Sequence, residues 1–86
     1  MIDRFTFAVD ESVIAIFSAS TKRDREQLMR IFYLLANNPM QRGDFVEISS
    51  SGRELQVKRF GKWLVTFWPD QPVFELRIVD VQKVVA

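Results

Sequence analysis

Between residues 53 and 63 the chain carries Arg53, Lys58, Arg59 and Lys62 against one acid, Glu54: four cations less one anion, or +3 in eleven residues. A second concentration, Lys22, Arg23, Arg25 and Arg30 against Asp24 and Glu26, is four less two, or +2. Cations gathered in this way permit phosphate contact; equally, they form the solvated face of a helix or an edge strand. The other chemistry open to the chain is narrowed by what is missing. There is no histidine and no cysteine. That removes the commonest general base and metal ligand, thiolate nucleophiles, Cys-based zinc sites and any disulfide framework. Ser-His-Asp and HExxH chemistry go with them, and neither a Gly-rich phosphate loop nor a paired-acid motif is present. Asp70, Glu75 and Asp80 fall near strand ends, where carboxylates ordinarily sit in turns and on surfaces. No metal and no cofactor are expected, and a small-molecule enzyme is the least supported class.

The elements that position these residues belong to one domain spanning residues 1–86, with 48% hydrophobic residues, 13% aromatics and only three Gly and three Pro. A chain of this length buries roughly 60–65% of the surface its unfolded form exposes. The N-terminal MIDRFTFAVDES carries acids within its apolar stretch and lacks the basic and long apolar regions of a signal peptide. No run approaches the roughly 20 apolar residues of a membrane span. A cytoplasmic protein without membrane contact is expected.

Residues 3–9 place Phe5, Phe7 and Val9 on one side and predict a first strand. Asp10 then offers an N-cap and Glu11 a favourable first-turn acid, so Val13, Ile14, Ile16 and Phe17 suit a short helix. Thr21 to Asp24 resembles a capping box. Leu28, Ile31, Phe32 and Leu35 recur at helical spacing behind it, until Asn37-Asn38-Pro39 stops the helix. After the loop MQRGD come a short strand, FVEIS, the turn SSG, and a three-stranded antiparallel meander through RELQVKRF, KWLVTFW and VFELRIVDV. The sum is an α+β domain with two helices across one face of a mostly antiparallel sheet of four to five strands.

Alternation then assigns faces. Phe74, Leu76 and Ile78 share the side under the helices, with Glu75 and Arg77 opposite; Leu55 and Val57 are the buried pair of their strand, which leaves Glu54, Gln56 and Lys58 on the open face. The middle strand is apolar on both parities. The register adopted puts Trp63, Val65 and Phe67 on the open face, as a partner interface. Two bare aromatics there would make a patch of the size that marks an interaction site. Either another chain, a second copy in a homodimer included, or a nucleic acid covers it, or the loop 40–52 folds over it.

FTFAVDESVIAIF, REQLMRIFYLLANNP and GRELQVKRFGKWLVTFWPDQPVFELRIVDV resemble the opening strand and first helix, the second helix and the closing strands of the RelE/ParE toxin superfamily of bacterial toxin–antitoxin systems. The similarity spans nearly the whole chain and consists of hydrophobic pattern and punctuation. It implies a RelE-like fold and a small cytoplasmic toxin neutralised by a cognate antitoxin. RelE-like members cleave mRNA in the ribosomal A site; ParE-like members poison DNA gyrase. For a ribonuclease the resemblance implies Glu54, Lys58 and Arg77 as catalytic residues, Glu54 transferring the proton and the cations stabilising charge on the scissile phosphate. It implies Arg53, Trp63 and Lys83 as nucleic-acid contacts, Trp63 by stacking on a base. The chain departs from the ribonuclease pattern at several of these places. Glu54 and Gln56 stand where two lysines are usual, Trp63 where an arginine is usual, and with Ala86 as last residue no tyrosine follows the final strand. The alternative is a non-catalytic module of the same fold: a ParE-like gyrase inhibitor, a degenerate toxin or a dimeric partner protein.

Overall fold

The structure, a computed structural model, describes residues 4–84. Asp3, where the first strand is expected to begin, lies outside the described residues. Strand β1 (Thr6–Val9) leads directly into helix α1 (Glu11–Ala19), with Asp10 at the N-cap position. Helix α2 (Lys22–Asn37) starts where Thr21 Oγ1 accepts the Asp24 N–H at 3.2 Å, and it ends before Asn38-Pro39. Four strands follow: β2 (Phe45–Ile48), β3 (Glu54–Phe60), β4 (Trp63–Asp70) and β5 (Glu75–Lys83). The β3–β4 hairpin turns on Gly61 and Lys62 alone. Gly61 has φ 60°, the sign that the first central position of a two-residue II′ turn needs. PDQP becomes a short 3-10 turn, Gln71–Val73, that hands the chain to β5 through Phe74 in the left-handed region, φ 54°. Phe74 is therefore not a residue of the helix-covered face as expected; it is exposed, and its ring meets Phe5 edge-on at 5.7 Å.

The sheet order is β1-β5-β4-β3-β2, antiparallel except that β1 runs parallel to β5. Helix α1 lies on β5, and α2 lies on β1 and β5. Their apolar faces, including Val13, Leu28, Phe32 and Leu35, close the core over Trp63, Val65, Phe67, Leu76, Ile78 and Val81. The expected register of β4 is thus reversed. Trp63 is 2% exposed and Val65 and Phe67 0%, all on the helix side, so they are core residues and not an open partner face. Each set carries one tryptophan; under α2 the Trp63 indole N–H finds Gln27 Oε1 at 3.4 Å, while Thr66, only 6% exposed, is buried on the opposite face. With β4 turned over, β3 turns as well. Lys58 pairs with Val65, Gln56 with Phe67 and Phe60 with Trp63, so Glu54, Gln56 and Lys58 lie on the helix side. Leu55 and Val57 face away from the helices, and Val57 is nevertheless only 1% exposed. The helices pack on β1 and β5 and leave β3 outside their footprint, so the alternation on β3 does not report which side they cover.

Candidate functional site

The uncovered helix-side surface of β3 forms a ledge beside α2. Along it the side chains are tied to the loop that carries the chain from α2 to β2. Gln56 Oε1 accepts the Gly43 N–H at 2.7 Å, and Lys58 Nζ donates to Gln41 Oε1 at 3.0 Å. Gln56 Nε2 reaches Glu54 Oε1 at 3.4 Å. Gly43 is required where the loop crosses β3, because a Cβ there would overlap the Val57 main chain. Toward the hairpin a groove of about 270 Å³ opens between α2 and the β3–β4 turn, lined by the cations Arg30 and Lys62 and by Ile31, Leu34 and Phe60. Cations over an apolar floor make a surface suited to an acidic or phosphate-bearing partner.

At the hairpin end the cations are already engaged. Asp24, 5% exposed at the start of α2, receives Lys62 Nζ on Oδ1 at 2.5 Å and Lys83 Nζ on Oδ2 at 3.0 Å. The hydrogen bonds from Lys62 and Lys83 hold the Asp24 carboxyl below its ordinary value, against the opposing effect of burial. This one carboxylate ties the first turn of α2 to the β3–β4 turn and to the end of β5.

On the far face of the sheet, the Arg53 guanidinium sits over the Trp68 ring, its carbon 3.6 Å from the centroid. Trp68 pairs across strands with Arg77, whose NH1 touches Glu75 Oε1 at 3.4 Å.

The residues singled out from sequence therefore divide. Glu54, Lys58, Trp63 and Lys83 share the helix side, while Arg53 and Arg77 share the opposite side. Glu54 and Lys58 are four residues apart on one strand, about 13 Å between their backbones, and their side chains are bonded to Gln56 and to Gln41. Trp63, buried under α2, is not placed to stack a base, and Lys83 Nζ sits 5.6 Å from its ring while bound to Asp24. The sequence reasoning passed over Lys62, Asp24 and Trp68. Lys62 lay within the basic stretch, and its position after a turn glycine directs it toward whatever packs over that hairpin. Trp68 was assigned to the core by the reversed register. Among the described residues, no group of three or more acidic, histidine or cysteine side chains is placed to hold a metal ion, and no helix is long and apolar enough to cross a membrane. Comparison with protein-family models, curated proteins and solved structures gives no match to this chain.

Proposed function

We propose that the chain is the toxin component of a type II toxin–antitoxin pair of the RelE/ParE kind, acting in the cytoplasm by binding its target through the ledge and groove beside α2. The order strand, two helices, four strands, with both helices on one face, supports the RelE-like side of this reading. So do Arg30 on the groove and Lys58 on the neighbouring ledge, cations that suit an acidic segment of a cognate antitoxin or a nucleic-acid target. The observation that favours binding over RNA cleavage is the separation of the catalytic set, with Lys58 beside Val65 on one face and Arg77 beside Trp68 on the other. Cleavage by a 2′-OH needs cations fixed around one developing charge.

A second reading, a ribosome-dependent mRNA endoribonuclease, is favoured by Glu54 and Lys58 lying on the same face as Lys83. The two separate in a cell-free translation reaction with purified protein and a defined message, with and without ribosomes, followed by primer extension. The binding reading expects inhibited growth on expression, relief by the antitoxin, and intact message. Ribosome-dependent cuts within codons would replace it with the nuclease reading. Absence of toxicity in the intact, folded protein would remove both and leave a partner module of the same fold, for which sedimentation would report a homodimer.

A further inference from the structure

Arg53 is a cation that the fold holds in place without using its side-chain donors. Its main chain is fixed by the turn before β3: its N–H donates to Ser49 Oγ at 3.0 Å, and its carbonyl accepts from the Ser49 N–H at 2.8 Å. Gly52, at φ 85°, lets that turn close. The guanidinium then stacks on Trp68 at 3.6 Å. A guanidinium held over an indole keeps its N–H donors, which lie in its own plane, open to an acceptor at its edge. Among the described residues, no acceptor or carboxylate lies within bonding distance of those donors.

Arg77 stands beside the same indole, and its single contact, 3.4 Å to Glu75, is long for a charge-assisted bond. Ser51, Gly52, Arg53, Glu54, Trp68 and Pro69 line a shallow cleft of about 540 Å³ at this corner of the sheet.

We infer that this cleft is an oxyanion site: Arg53, backed by Trp68, receives one phosphate or carboxylate group in its two-pronged fork. Glu54 in the cleft wall offsets the charge of Arg53 and disfavours a nucleic-acid backbone, so the site depends on the geometry of the guanidinium fork rather than on net charge. The cleft wraps the corner of the sheet, shares no lining residue with the groove beside α2, and does not rest on the toxin reading.

The test is titration of inorganic phosphate and, separately, acetate at constant ionic strength, followed through the arginine Nε–H and indole N–H resonances. Wild type should saturate, with the Arg53 and Trp68 signals moving and that of buried Trp63 still. Arg53→Lys should bind about tenfold more weakly, because an ammonium neither stacks flat nor forks. Trp68→Leu should weaken binding although the guanidinium remains, which distinguishes a positioned charge from one merely present. Tighter phosphate binding assigns the site to a phosphate group, and tighter acetate binding to a carboxylate of a protein partner. A titration that does not saturate, or an Arg53→Lys protein that binds as tightly as wild type, overturns the inference.

Discussion

A lysine and an arginine on opposite faces of a sheet cannot hold one phosphate, so Lys58→Ala and Arg77→Ala should have separable effects. If the ledge carries target binding, Lys58→Ala weakens growth inhibition by roughly tenfold, on the scale of one charge-assisted contact, while Arg77→Ala leaves it unchanged. Equal losses in the two folded variants would contradict that division. Asp24 gives a prediction of a different kind. Its carboxyl is held below its ordinary value in the folded protein, so its contribution is fully present above the unfolded carboxylate range near pH 4 and is lost as pH falls through the lowered folded value. Asp24→Asn should therefore be less stable than wild type at neutral pH, and the gap should close in acid. A gap that persists unchanged under acid denaturation would mean that the ion pairs with Lys62 and Lys83 are not its source. The composition already excluded histidine and cysteine chemistry at this scale. It could not show that two of the lysines meet on one aspartate 38 residues away from Lys62, since a contact that long in sequence leaves no local pattern.

Strand β5 shows what alternation does and does not reveal. Leu76, Ile78 and Val81 all enter the core, although a spacing of two followed by three breaks strict alternation. The structure resolves this with a bulge: Asp80 pairs with Thr66 and Ile78 with Phe67, so Val79 has no partner on β4. Deleting Val79 should keep the three core residues inward and cost about 1–3 kcal/mol in chemical denaturation. Deleting Arg77 instead turns Leu76 or Ile78 outward, at about 2–5 kcal/mol for each core side chain lost, and should leave no cooperative transition. The helices, their order, the stop at Asn38-Pro39 and the meander were all readable, because caps, prolines and helical spacing are local signals. The faces of β3 and β4 were not. A strand that is apolar on both sides carries no parity, and Val57, buried on the side without helices, reads the same as a residue beneath them.

Over the whole molecule, two helices cover less than the width of a five-stranded sheet. The uncovered part ends in edge strand β2, where Phe45, Val46 and Ile48 are all exposed, Ile48 at 65%, and Glu47 alone guards the open backbone. Ile48→Lys should reduce concentration-dependent association in sedimentation while changing stability by no more than about 0.5 kcal/mol. Association undiminished in that variant would show that the edge does not drive it. At the other end of the sheet, Thr6 and Phe7 pair with Glu75 and Leu76. During synthesis β1 is made before β5 and must wait for it before its backbone is matched. Until then α1 and α2 have no β5 to lie on, and the chain emerges as an open hydrophobic precursor that chaperones or a partner can reach before the domain closes.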